Sequence, residues 1–213
     1  MVAVVGCIAL AVVLLGWPVV RMLVTVCHEA GHAVVAMLVG RRLGGIRLHS
    51  DTSGLTVTSG RRGGPGMVAT LFAGYPAASL VGLGSAWLAG AGYAAGLLWA
   101  IVALLALMLL KIRNFDGALV VLASGGLVAL ASWYASPAVL GWLANGLAWL
   151  FLLAGPRPVV ELGVRRRAGS DADQLAALTR VPGVAWVLAW LVLTVGALLL
   201  GAGRLLAGVG FPP

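Results

Sequence analysis

Long apolar runs separated by short polar segments make up most of this chain. The apolar runs cover approximately residues 2–20, 22–39, 67–88, 93–110, 118–134, 138–154 and 184–200. A helix needs about 20 apolar residues to cross the hydrocarbon core of a bilayer. The pattern therefore predicts an all-α multi-pass membrane protein with about six to seven transmembrane helices.

The first two apolar runs are separated by a short break that contains Pro18 and Arg21. Proline disfavours a continuous helix through this point, so we expect two spans rather than one. The first run has no basic segment before it and no clear small-residue cleavage site. We interpret it as a retained span and not as a signal peptide.

Residues 43–66 interrupt the hydrophobic pattern after the second run. Two short alternating runs, 46–49 and 55–58, flank a turn-forming stretch of Ser, Asp, Thr and Gly, which predicts a β-hairpin. The edge of this hairpin could pair with an extended peptide by strand addition. The alternative is a connecting hairpin that has no role in substrate binding.

Residues 156–182 form the longest polar segment. Ser170, followed by Asp171 and Asp173, is typical of a helix N-cap with an acidic first turn, so we predict a short amphipathic surface helix there. The basic triplet at 165–167 is interpreted as a topology determinant or a contact with lipid headgroups.

The composition supports a membrane location and excludes a soluble class. The 213 residues are 62% hydrophobic and only 9% charged, and the mean hydropathy is +1.07. The net charge of +8 does not indicate nucleic-acid binding, because the basic residues are scattered between the apolar runs. Twelve of the 14 basic residues lie in segments 41–66, 111–113 and 156–182, which the alternating spans place on one face. The positive-inside rule predicts that this face is cytoplasmic.

The second apolar run contains His28-Glu29-Ala30-Gly31-His32. Ionisable groups inside a membrane span are costly and usually mark function. Because residues four apart lie on one face of a helix, both imidazoles can reach one metal ion while Glu29 reaches the water bound to it. The H-E-x-x-H pattern is typical of zinc peptidases, and it predicts His28 and His32 as ligands of one Zn²⁺ ion and Glu29 as the general base.

A catalytic zinc site needs a third protein ligand and an open position for water. Acidic candidates elsewhere in the chain are Asp51, Asp116, Glu161, Asp171 and Asp173. Asp116 alone follows directly on a span, and Gly117 after it allows a tight turn. Asp116 is therefore the leading candidate for the third ligand, and His49 of the hairpin is the competing candidate.

These residues resemble the site-2 protease family of intramembrane zinc metalloproteases over approximately 20–135, in particular its compact bacterial branch without a PDZ domain. The resemblance depends on the H-E-x-x-H span, the hairpin after it and Asn114-Phe115-Asp116-Gly117. It implies that Asp116 is the third zinc ligand and that Asn114 polarises the substrate carbonyl. Two features depart from the family pattern, Lys111-Ile112-Arg113 in place of a proline-rich approach and Gly74-Tyr75-Pro76 in place of a Gly-Pro pair.

The expected function is that of a zinc-dependent intramembrane endopeptidase that acts on membrane-anchored proteins. We expect one membrane-embedded metalloprotease domain over 1–213, with its core at 20–135 and a polar loop at 156–182. The abundance of Arg, Ala, Gly, Leu and Val suggests a bacterial plasma membrane protein. The placement of the basic segments predicts that the active site is nearer the cytoplasmic face. Two alternatives are a metal or proton transporter that uses the same His, Glu and Asp residues and a non-catalytic membrane scaffold. The absence of a second such span or a clear internal repeat disfavours the transporter.

Overall fold

A computed structural model describes residues 2–165 and 168–207 of the chain. In these ranges the chain forms ten helices and one antiparallel pair of strands. The elements are α1 Val2–Leu15, α2 Trp17–Leu38, β1 Arg42–Leu48, β2 Gly54–Ser59, α3 Pro65–Phe72, α4 Gly74–Gly90, α5 Ala94–Leu109, α6 Phe115–Tyr134, α7 Pro137–Ala154, α8 Pro156–Val164, α9 Asp171–Thr179 and α10 Gly183–Ala207. The predicted fold class, all-α and multi-pass with a small hairpin, is confirmed.

Within the described ranges, four helical stretches are long and apolar enough to cross a membrane. They are Trp17–Leu38, Phe115–Tyr134, Pro137–Val164 and Gly183–Ala207. A fifth is obtained if α3 and α4, which meet at an angle of 59°, form one broken span. The shorter apolar helices α1 and α5 have 14 and 16 residues. Counting the bent pair as one span, the predicted total of six is reached if either α1 or α5 also crosses, and seven if both do.

The break between α1 and α2 lies at Gly16. Pro18 occupies the first turn of α2, where its missing N–H costs nothing, and Arg21 lies inside the helix. The predicted break in the helix is confirmed, but it occurs before the proline.

The run 67–88, predicted as one helix, bends between α3 and α4. The ring of Pro76 is incompatible with a straight helix because it would meet the carbonyl group four residues earlier, which is that of Phe72. That carbonyl instead accepts a hydrogen bond from the indole Nε1 of Trp190, at 2.9 Å. The bend brings the start of α4 to the middle of α2, where Gly31 passes against Ala73 and Ala77.

The predicted hairpin is confirmed, and β1 is its inner strand. β1 pairs with β2 in antiparallel register from Arg42 opposite Ser59 to Leu48 opposite Gly54. On its other side, the N–H of Ile46 donates to the carbonyl of Lys111 at 2.8 Å, and its carbonyl accepts from Arg113 at 2.9 Å. β2 therefore forms the outer edge of the hairpin.

The polar segment 156–182 is mostly helical and folds back onto the membrane helices. Ser170 caps α9 as predicted, its Oγ accepting from the N–H of Asp173 at 3.3 Å. However, α9 is packed against the core and not only laid on the surface, because Leu175 is fully buried against Val159 and Trp190. Helix α8 was not predicted. Of the basic triplet, Arg165 follows α8, whereas Arg166 and Arg167 lie outside the described residues.

Candidate metal centre

Both histidines of the motif point from one face of α2 into the protein. The Nε2 atoms of His28 and His32 lie 3.0 Å apart. His32 is 7% exposed. A helix places side chains four residues apart one above the other, so the motif spacing alone produces this pair. The predicted convergence of the two imidazoles is therefore present in the fold.

The carboxylate beside this pair belongs to Asp171, in the first turn of α9. Its Oδ2 lies 3.2 Å from Nε2 of His28 and 3.3 Å from Nε2 of His32. Among residues 2–165 and 168–207, His28, His32 and Asp171 form the group of His, Cys, Asp and Glu side chains with ligand atoms close enough to hold one ion. Three such ligands are what a catalytic zinc site takes from a protein.

Local structure and packing together place Asp171. Ser170 ends the preceding loop by capping α9, so Asp171 becomes the first helical residue. Ala172 and Leu175 are buried in one cluster with Trp190. The apolar side of this short helix thus fixes its position, and its acidic N-terminus faces α2.

The donor set fits a tetrahedral ion. Metal–ligand bonds of about 2.0–2.1 Å in a tetrahedron separate the ligand atoms by about 3.3 Å, close to the three separations found here. In addition, the Nδ1–H of His32 donates to the carbonyl of Thr70 at 2.7 Å. This bond orients the ring with Nε2 toward the other ligands, as outer hydrogen bonds do in metal centres.

The environment of Asp171 favours its charged form. Burial by itself raises the pKa of this carboxyl, but hydrogen bonds from His28 and His32 outweigh it and hold the pKa of Asp171 well below its usual range.

Glycine is needed where α4 passes the two histidines. A Cβ atom on Gly74 would lie 2.5 Å from Nε2 of His32 and 2.6 Å from Cε1 of His28. On α2, a Cβ atom on Gly31 would lie 2.7 Å from the carbonyl oxygen of Ala73. Both contacts are shorter than side chains tolerate, so these glycines allow α4 to close one side of the centre.

Asp116, predicted as the third ligand, is not brought to the histidines. It is exposed in the first turn of α6. The reason lies in its neighbour, because Asn114 binds the backbone of Leu48 and so fixes the start of α6 to β1. The Asn114 Oδ1 atom accepts from Leu48 N–H at 3.1 Å, and its Nδ2 donates to the Leu48 carbonyl. Asp171 occupies the position beside the two histidines that the sequence predicted for Asp116.

The other sequence candidates are also accounted for. Asn114, expected to polarise a substrate carbonyl, anchors the hairpin to α6 through its bonds to Leu48. His49 is exposed in the turn of the hairpin, and its Nδ1 lies 3.2 Å from Oγ of Ser53. It does not belong to the group of three ligands.

Glu29 lies next to His28 on α2 and is 4% exposed. Its carboxylate faces β2, where the hydroxyl group of Thr56 donates to Oε2 at 2.5 Å. A buried carboxylate is costly unless it is hydrogen-bonded, and this bond provides one such partner. The predicted general base is therefore held beside the histidines by the hairpin.

The H-E-x-x-H helix and the membrane helices around it also match a known protein family. The model of the family described as Peptidase M50B-like matches residues 1–201. The chain belongs to this family. The resemblance to site-2 proteases is thereby confirmed, and membership in the M50B-like family implies a membrane metalloprotease. Comparisons with curated proteins and with solved structures give no match.

The M50B-like match also extends well beyond the region that carried the resemblance. It includes α8, α9 and most of α10, and hence Asp171. The sequence did contain one signal for this ligand, the acidic first turn after the Ser170 cap. That signal predicts a helix, and it does not indicate which surface the helix packs against.

Proposed function

We propose that the protein is a zinc-dependent endopeptidase that hydrolyses peptide bonds in or near transmembrane segments of membrane-anchored proteins. The observation that carries this proposal is the convergence of His28, His32 and Asp171 beside Glu29, within helices of a membrane protein. The set supplies three ligands and a separate acid–base group, which is the composition of a hydrolytic zinc site. The M50B-like family membership supports the same reaction.

The three ligands would hold Zn²⁺ through Nε2 of His28, Nε2 of His32 and Oδ2 of Asp171. When bound, the ion supplies Lewis-acid polarisation of the peptide carbonyl and lowers the pKa of the attacking water. Glu29 takes a proton from this water as the water oxygen bonds to the carbonyl carbon. It then delivers the proton to the amide nitrogen as the C–N bond breaks. The products are a carboxylate and an amine.

A membrane-spanning substrate must expose its backbone to these groups. Amides in a helix are hydrogen-bonded and shielded, so the segment to be cut has to unwind locally before the carbonyl can approach the centre. Membrane-anchored segments with residues that weaken a helix, such as glycine or proline, are therefore the expected class of substrate.

Metal removal tests the proposed function directly. Purified protein in liposomes with a labelled single-span substrate should stop cleaving after treatment with 1,10-phenanthroline, because the water is no longer activated. Adding Zn²⁺ back should restore cleavage, whereas Mg²⁺ should not, since it prefers oxygen ligands. Gel analysis of the products and mass spectrometry of the cut site provide the measurement. Undiminished cleavage by protein shown to be free of metal would disprove the proposal.

We also propose that the metal centre is nearer the cytoplasmic face. The hairpin and the 111–113 segment are both rich in basic residues, and they are hydrogen-bonded to each other. Helix α9, which belongs to the third basic segment (156–182), contacts the centre through Asp171. Basic loops favour the cytoplasm. A cysteine replacing exposed Arg61, in a variant lacking Cys7 and Cys27, should react with a membrane-impermeant maleimide in inverted vesicles but not in right-side-out cells. The reverse labelling would place the centre at the other face.

A further inference from the structure

Glu29 contacts the hairpin through both of its carboxylate oxygens. The Thr56 hydroxyl lies 2.5 Å from Oε2 and 3.1 Å from the backbone carbonyl of Glu29. A hydrogen bond to an ionised carboxylate is stronger and shorter than one between neutral groups. The side chain of Thr56 thus connects β2 to the proposed general base itself.

The second contact comes from Gly54, two residues earlier on the same face of β2. A Cβ atom at this position would lie 2.5 Å from Oε1 of Glu29 and 2.6 Å from its Cγ. The backbone of β2 therefore passes directly against the other oxygen. Successive side chains of a strand alternate between its faces, so Gly54 and Thr56 both face α2, while Leu55 and Val57 are 51% and 48% exposed.

Further hydrogen bonds attach the hairpin to α2 and to the start of α6 and hold it in position. The hydroxyl of Thr25, one helical turn before Glu29, donates to the carbonyl of Thr52 at 2.8 Å. Asn114 holds Leu48 at the end of β1. Ile46 bonds to the 111–113 segment. Movement of the whole hairpin away from α2 would break these contacts.

We propose that the α2-facing side of β2 positions Glu29 for proton transfer, with Thr56 as a positioning residue and Gly54 as the residue whose missing side chain leaves room for the carboxylate. The inference rests on the proposed role of Glu29 as general base. Proton transfer depends on the orientation of the base, and misplacement by about 1 Å can cost about 100-fold in rate. Thr56 acts through Glu29, its hydrogen-bond partner.

Thr56→Val tests this inference, because valine keeps the shape of the side chain and removes the hydroxyl. We expect kcat to fall about 10- to 100-fold, with KM changed less than about 2-fold and with wild-type zinc content. Thr56→Ser, which keeps the hydroxyl, should restore kcat to within a few-fold of wild type. Gly54→Ala should also lower kcat, because its Cβ would push against the Glu29 carboxylate.

Thr58→Val is the matched control. Thr58 lies on the same face of β2, but its hydroxyl accepts hydrogen bonds from Arg41, whereas that of Thr56 donates to Glu29. This variant should cleave at the wild-type rate. A similar loss in Thr58→Val and Thr56→Val would show that the hairpin is only a structural support and would overturn the inference. Loss of zinc in Thr56→Val, or failure of serine to restore kcat, would overturn it equally.

Glu29→Gln, measured in parallel, separates this inference from the proposed function. If Glu29→Gln is inactive and Thr56→Val cleaves at the wild-type rate, the function stands and the positioning role of Thr56 is wrong. If Glu29→Gln cleaves like wild type, Glu29 is not the base, and both the proposed mechanism and the inference fail.

Discussion

Asp171→Asn should bind zinc far more weakly than the wild-type protein, whereas Asp116→Asn should bind it normally. Asparagine has nearly the same shape as aspartate but carries no charge, so the site loses an anionic ligand at 3.2 and 3.3 Å from the two imidazoles. Changes in outer-shell partners alone cost about 10- to 100-fold in metal affinity. We expect the loss of a direct ligand to exceed this range, and to abolish cleavage.

The measurement is zinc content by inductively coupled plasma mass spectrometry, together with competition against a chromophoric chelator. Asp116→Asn is the matched control because Asp116 is exposed at the start of α6. Asp171→Asn should remain folded, since the Ser170 cap and the buried Leu175 are unchanged. If Asp116→Asn lost the metal and Asp171→Asn kept it, the ligand set drawn from the structure would be wrong and the family-based expectation would be right.

Glu29→Gln should keep its zinc and lose cleavage. Glutamine fills the same space and can still accept a hydrogen bond from Thr56, but it cannot take a proton from water at neutral pH. General acid–base catalysis contributes about 10²- to 10⁴-fold, so we expect kcat to fall in that range. Single-turnover cleavage of a labelled membrane substrate and the zinc content of the same preparation give the two readouts.

Glu161→Gln is the control for this variant. Glu161 pairs with Arg21 at 3.3 Å and with Arg157 at 3.4 Å, and it is not one of the three metal ligands. Its neutralisation should leave kcat near the wild-type value. Wild-type cleavage by Glu29→Gln would exclude Glu29 as the general base.

Local patterns in the sequence were sufficient for most helices and for two of the three residues of the candidate metal centre. The H-E-x-x-H spacing fixes the convergence of His28 and His32 within one helix, without reference to the rest of the fold. The hairpin follows from alternation around a turn, and the Ser170 cap predicts the start of α9. Each of these signals acts over a few residues.

Asp171, the third residue of the candidate centre, could not be found in this way, because its position depends on packing between distant segments. Asp116 and Asp171 both begin a helix after a polar segment, so their local signals are similar. The two residues differ in the long-range contacts that hold their helices in place. Asn114 fixes the start of α6 to β1 and Asp116 is left exposed, whereas the burial of Leu175 beside Trp190 holds the N-terminus of α9 at the histidines.

The origin of Asp171 in α9 has a consequence for biosynthesis. When a ribosome has synthesised only α1 to α7, His28 and His32 are present, but Asp171, which completes the candidate centre, is not. Helix α9 also packs against α10, through Trp190, so α10 must be inserted before the carboxylate is held in place. A chain that lacks α9 or α10 should therefore not hold Asp171 beside the histidines, and its candidate metal centre would be incomplete.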